Sequence, residues 1–257
     1  MPSELDDVKY QVAVANRVLA ETGLATGVTA SFGHASMRLP SDPGRFAIKG
    51  RGYELDVLER MRPQDMVVCD LDGRKVDGAP GLTPCYEIKM HSCIYKVRPD
   101  VQAVVHVHPR FTVVMSVLQE TLVPMCPEGI DLVRHPLPVY PHNKLILTEE
   151  DGMEVATELG GHKAVLLLGH GAATTGADLT EAVMNMYHLE EQARMNWYAC
   201  CAAGPQHRRI PEELIAESDN RTAIHELPHL KELFGGVPPP PNNGVYLHYA
   251  DLVSRDL

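Results

Sequence analysis

Two short apolar runs that each end in histidine constrain this chain more than any other feature. VQAVVHVHP (101–109) carries His106 and His108, and HKAVLLLGHG (162–171) carries His170. Both runs have the length and β-branched content of buried strands. Strand side chains alternate faces, so His106 and His108 at i and i+2 share one. Their Cβ atoms then lie about 7 Å apart, close enough for both imidazoles to reach one ion. His170 stands between Gly169 and Gly171, where a tight turn and close backbone approach are permitted. One histidine at a strand end is ordinary. Three histidines with an open fourth position form the pattern of a catalytic metal rather than a structural one. Imidazole suits Zn, Mn, Fe or Co, so the expected cofactor is one divalent ion from that set per subunit.

The surrounding pattern mixes helices and strands. Val8, Val12, Val14, Val18 and Leu19 recur at helical spacing over 4–23. GLATGVTASFGHASMRLP predicts two short strands with a tight loop. FAIKGRGY (46–53) predicts a strand followed by a pliable basic loop containing Lys49 and Arg51. MVVCDLDGRKV (66–76) predicts a hairpin turning at Asp72–Gly73. Thr83–Pro84 signals a helix over about 85–97, stopping before Pro99. FTVVMSVLQE predicts a further helix. A long helix is expected over about 178–202, capped by Asp178 or Thr180. Glu87 and His91 stand four apart on the helix at 85–97, hence on one face. Spacing alone leaves Glu87 either a proton-transfer group beside the metal or a solvated residue favoured by the helix dipole. Regularity fades after Gly204, and Pro238–Pro241 suits a polyproline II segment. The expected organisation is a catalytic domain at 1–204 and a C-terminal arm at 205–257.

Composition narrows the function classes. The 257 residues carry a formal charge of −11, which argues against nucleic acid as a partner. No apolar run reaches the ~20 residues of a bilayer span. The acidic start MPSELDDVKYQ does not look like a secretory signal, so no membrane partner and a cytoplasmic location are expected. The six cysteines form no C-x-x-C pair and read as free thiols.

Taken together, several motifs resemble the class II aldolase/adducin family. E-x-x-x-H-x-x-I-Y-x-x-R-P-D-V-x-A-V-V-H-x-H-P runs from Glu87. L-L-G-H-G-A-x-T-x-G surrounds His170, and an A-V-x-x-x-x-x-L-E helix follows. G-H-A-S-M-R near residue 35 is similar to that family's G-N-x-S-x-R loop. The resemblance covers roughly residues 8–203. It implies a three-layer α/β/α fold with a central, mainly antiparallel sheet. It also implies cyclic tetramers with active sites at subunit interfaces. His106, His108 and His170 match the family's metal ligands, and Glu87 its acid–base carboxylate. All four positions are filled, which argues against an adducin-like, non-catalytic interaction module.

Departures from the sugar-phosphate pattern bear on the substrate. The loop asparagine is replaced by His34, next to Ser36, and the phosphate-binding Ser-Ser pair before the glutamate reads Cys85–Tyr86. Meanwhile Lys49 and Arg51 supply cations, and a guanidinium can bind a carboxylate through two parallel hydrogen bonds. This looks closer to the family's decarboxylases of hydroxylated aromatic acids. The expected partner is a small anionic molecule, and the expected reaction is non-oxidative loss of CO2. His34, Ser36, Lys49 and Arg51 would bind the substrate. Glu87 would donate the proton, with His91 orienting it. Tyr198 could be a second acid delivered by a neighbouring subunit. The rival reaction is aldol cleavage of a non-phosphorylated hydroxy-keto acid.

Overall fold

Strand alternation sorts the side chains of this protein into two packed layers. The computed structural model describes residues 3–52, 55–238 and 243–257. Helix α1 (Glu4–Glu21) starts at a capping box in which Ser3 accepts from the Asp6 amide. Strands β1 (His34–Leu39), β2 (Asp42–Arg51), β3 (Met66–Asp70), β4 (Lys75–Asp77) and β5 (Thr83–Pro84) follow. Then come α2 (Ile88–Val97), β6 (Ala103–Val107), α3 (Arg110–Leu118), α4 (Ile130–Val133), β7 (Val139–Tyr140) and α5 (Glu149–Leu159). The hairpin β8 (Ala164–Leu167) and β9 (Gly171–Gly176) leads into α6 (Leu179–Ala203). Helices α7 (Glu212–Asp219), α8 (Lys231–Phe234) and α9 (Gly244–Ser254) end the chain.

The sheet runs β4-β3-β2-β1-β6-β9-β8-β7, with β5 paired to β2. Every pairing is antiparallel except β7 with β8. Ala103, Val105 and Val107 of β6 pack with α1 and α6, whereas Val104 packs with α2 and α5 on the other face. His106 has the parity of Val104 and faces the α2 side. The result is the expected three-layer α/β/α arrangement around a mainly antiparallel sheet. Full burial of a side chain such as Leu19 or Ile94 contributes about 1.5–3 kcal/mol, so the two layers together account for most of the favourable term in folding. None of the described helices is long and apolar enough to cross a membrane.

Several boundaries differ from the sequence expectation. Gly27–Thr29 forms a short 3-10 turn, so residues 23–40 hold one strand, not two. Lys49 and Arg51 belong to β2 rather than to a loop, because Gly50 and Arg51 pair with Pro84 and Thr83. That same pairing keeps residues 83–84 extended, and α2 begins at Ile88 instead of 85. The second histidine run is a hairpin: Leu168–His170 turns the chain between β8 and β9. Asp178 is the α6 cap, its side chain accepting from the Glu181 amide. Toward the C-terminus, Arg134 pairs with Glu212 and Asp219 of α7, and Arg17 of α1 pairs with Asp256 after α9. Most of the tetraproline, Pro239–Pro241, lies outside the described residues.

Candidate metal centre

His106, His108, His170 and Glu87 converge from three separate elements. One ligand atom from each lies within 4.8 Å of all the others. His106 sits inside β6, the central strand between β1 and β9. Its Nδ1 is 2.9 Å from the Ala172 carbonyl oxygen, which can only accept. Nδ1 therefore carries the proton and Nε2 presents a lone pair, the usual way in which a neighbouring carbonyl fixes a ligand's tautomer. His108 follows Pro-terminated β6, with Nε2 3.0 Å from His106 Nε2. His170 tops the β8–β9 turn. Two glycines permit the close approach. A Cβ on Gly171 would lie 2.4 Å from the Val107 carbonyl oxygen and 2.9 Å from His108 Cδ2, and one on Gly33 (φ +103°) 2.7 Å from the His106 carbonyl oxygen.

Glu87 occupies the cap position before α2. Its Oε1 accepts from the Ile146 amide at 3.0 Å and lies 3.5 Å from His170 Nε2, and its Oε2 lies 3.4 Å from His106 Nε2. Burial opposes ionisation of this carboxyl. The neighbouring His106 and His170 rings outweigh the burial and hold Glu87 well below the usual carboxylate range. Burial, with His106 as neighbour, pushes His108 down to about 3. Neutral imidazoles and an ionised carboxylate are the forms that bind a cation.

The fit to a metal also shows in an unsatisfied side chain. Both ring nitrogens of His170 are buried without a hydrogen-bond partner. Buried polar groups are costly when unpaired, and a divalent ion among these imidazoles removes that cost.

A cavity of about 380 Å³ opens beside the cluster. His34, Arg51, Glu87, His108 and His170 all line it. Arg51 lies with its guanidinium 4.5 Å above the Tyr86 ring and pairs with Asp56 at 2.9 Å. The other expected substrate residues lie elsewhere. Lys49 is 1% exposed, pairs with Asp56 at 2.6 Å and donates to the Ser31 carbonyl. Ser36 is fully buried. His91 does not orient Glu87. Its Nε2 bonds His34 Nδ1 and its Nδ1 bonds Ser36 Oγ, both at 2.7 Å. Tyr198 lies 52% exposed on α6 against Phe111 and Trp197, outside the cavity lining in the single chain.

Three contributors escaped the sequence reading. Phe32 stacks on His108 with ring centroids 5.7 Å apart, Leu145 lines the cavity, and the Ile146 amide holds Glu87. Residues 141–147 are irregular, and no periodicity points to them.

Comparison with known proteins agrees with this architecture. The family described as "Class II Aldolase and Adducin N-terminal domain" matches residues 10–197. A 3,4-dihydroxyphthalate decarboxylase of Terrabacter sp. (strain DBF63) is 31% identical over 223 residues, covering 84% of this chain and 90% of that relative. An aldolase II superfamily protein from Pseudomonas syringae superposes with a TM-score of 0.77 at 21% identity, covering 99% of this chain and 95% of that one. An L-fuculose 1-phosphate aldolase from Glaciozyma antarctica PI12 gives 0.74 at 22% identity, covering 98% and 93%. With the matched segment spanning well over half its length, the chain belongs to the class II aldolase and adducin family.

Proposed function

We propose that this protein is a metal-dependent carbon–carbon lyase that removes CO2 from a hydroxylated aromatic carboxylate. The observation that carries the reading is the shared cavity, which His108, His170 and Glu87 of the cluster line together with Arg51 and His34. The similarity to a 3,4-dihydroxyphthalate decarboxylase supports it.

His106, His108 and His170 would hold the ion, and a bound divalent metal supplies a Lewis acid for a ring hydroxyl or carboxylate oxygen. Arg51 and His34 would bind a carboxylate, the former through parallel N–H donors. Glu87 enters as a carboxylate. It takes the proton of a ring hydroxyl and delivers it to the ring carbon bearing the departing carboxylate. The bond from that carbon to the carboxyl group then breaks, its electrons restore aromaticity, and CO2 leaves with a proton in its place. Solvent returns the hydroxyl proton. Glu87 stays ionised and so is free to accept the proton, and the buried pocket favours its delivery to carbon. Tyr198 enters this scheme only if a neighbouring subunit carries it to the cavity. Exposed Phe32 and Tyr86 at the cavity wall would suit a cover by a second copy.

The test is incubation of zinc- or manganese-loaded protein with 3,4-dihydroxyphthalate. Stoichiometric CO2 and a dihydroxybenzoate are expected. Inertness toward hydroxylated aromatic acids, together with aldehyde release from a hydroxy-keto acid, overturns the proposal in favour of aldol cleavage.

A further inference from the structure

A chain of four side chains runs from the cavity wall into the protein. His34 Nδ1 lies 2.7 Å from His91 Nε2, His91 Nδ1 2.7 Å from Ser36 Oγ, and Ser36 Oγ 2.8 Å from the Tyr95 hydroxyl. All four are buried: His91 and Ser36 are 0% exposed, Tyr95 1% and His34 5%. They come from β1 and α2, which face each other across the layer. We propose that Tyr95, Ser36 and His91 are positioning residues that fix His34 as an Nε2–H donor toward the cavity, so that this wall selects an anionic oxygen of the substrate.

The polarity follows from the far end. The Tyr95 hydroxyl has two possible acceptors, Ser36 Oγ at 2.8 Å and the Gln102 carbonyl at 3.5 Å. The Gln102 carbonyl already accepts the Arg38 amide at 2.9 Å. The shorter, better contact takes the phenolic proton. Ser36 then accepts from Tyr95 and donates to His91 Nδ1. His91 accordingly carries its proton on Nε2 and donates to His34 Nδ1. A neutral imidazole has one N–H, which in His34 must be Nε2. The reverse polarity would leave the phenolic proton on the longest contact of the chain.

This inference rests on the cavity being the substrate site, but its test does not need turnover. Solid-state NMR of zinc-loaded protein with 13C,15N-labelled histidine reads each tautomer, with His34→Asn and His91→Gln difference spectra for assignment. His34 and His91 are both expected as Nε2–H. In Tyr95→Phe the terminal donor is lost, Ser36 can accept from either side, and a His34 Nδ1–H population should appear. Affinity for 3,4-dihydroxybenzoate, the probe, should fall about 2- to 12-fold, the range for one hydrogen bond. Ser36→Ala interrupts the chain independently and should give the same mixture. His34 as Nδ1–H in the parent protein overturns the proposal, and so does an unchanged tautomer in both variants. A merely structural role for Tyr95 would alter stability and leave the tautomers alone. Expected tautomers in a protein that decarboxylates nothing would count against the reaction assigned above and leave the relay standing.

Discussion

Replacing Gly171 by alanine tests whether the backbone really closes on the metal cluster as described. The added Cβ would sit 2.4 Å from the Val107 carbonyl oxygen and 2.9 Å from His108 Cδ2. Ordinary contact is about 3.5 Å, so the overlap is about 1 Å against backbone and about half that against a ligand ring. Backbone cannot swing aside as a flexible side chain does. The β6–β9 edge must part, at about 1–3 kcal/mol for overpacking of this kind. His108 moves with it, and disturbing a ligand's support lowers metal affinity about 10–100-fold. Thermal unfolding with and without excess zinc separates the two effects. Without zinc the melting temperature should fall by about 2–4 °C per kcal/mol of strain. With zinc the stabilisation should shrink by a further ~1.4–2.7 kcal/mol, the free-energy equivalent of the lost affinity. Gly161→Ala is the control, because nothing lies within 4 Å of its Cβ. If Gly171→Ala keeps parental melting and parental zinc affinity, the proposed closeness of β9 to the ligands is wrong.

Glu87→Gln keeps an acceptor for the Ile146 amide but cannot exchange a proton. Zinc content should stay near the parental value while turnover falls about 10²–10⁴-fold, and parental kcat would remove Glu87 from the chemistry. Arg51→Lys keeps the charge and loses the planar fork. KM for a dicarboxylate should rise roughly tenfold or more with kcat little changed, and an unaltered KM would take Arg51 out of substrate binding. Acid should destabilise the metal-free protein early. His91 and His108 titrate near about 3 when folded, burial being the main cause, against ~6.5 unfolded. Between those values the unfolded chain binds more protons, so stability falls as pH falls, beginning near 6.5 and ending near 3. Urea unfolding should lose roughly 2–4 kcal/mol between pH 7 and pH 5, and a flat profile over that range would refute the burial argument.

The parts of the site legible in the sequence are those where one element carries the chemistry. His106 and His108 needed only strand alternation. His170 needed only its glycines, although the chain reverses there rather than ending a strand. Glu87 was ambiguous from spacing, and what settles its surroundings is the Ile146 amide, which arrives 59 residues later. His91 illustrates the limit. A spacing of four places it on the face of Glu87, yet both its nitrogens bond to β1, an element that no local pattern pairs with α2. Lys49 and Arg51 looked alike in sequence. The pairing of β2 with β5 makes both strand residues of one parity and both pair with Asp56, yet Lys49 is held on the Ser31 carbonyl and only Arg51 reaches the cavity lining. The mixture of helices and strands was visible in the apolar periodicities, and the three-layer arrangement followed from the family resemblance. The late start of α2 was not, because residues 83–84 are extended by tertiary pairing that overrides the Thr-Pro start signal.

The placement of His106 in the innermost region of the sheet has a consequence for how the protein chooses its ion. β6 is hydrogen-bonded on both edges, and its five residues are all buried. A ligand cage built on such a strand is set before any ion arrives. It gains little from folding around the ion, and three imidazoles with an open position accept several first-row ions alike. Uptake is then a matter of exchange rather than of conformational search. Occupancy should follow the intrinsic preference of imidazole among first-row ions, weighted by their supply in the cell. The same chain purified from zinc-rich and manganese-rich growth media would carry different metals on an unchanged backbone.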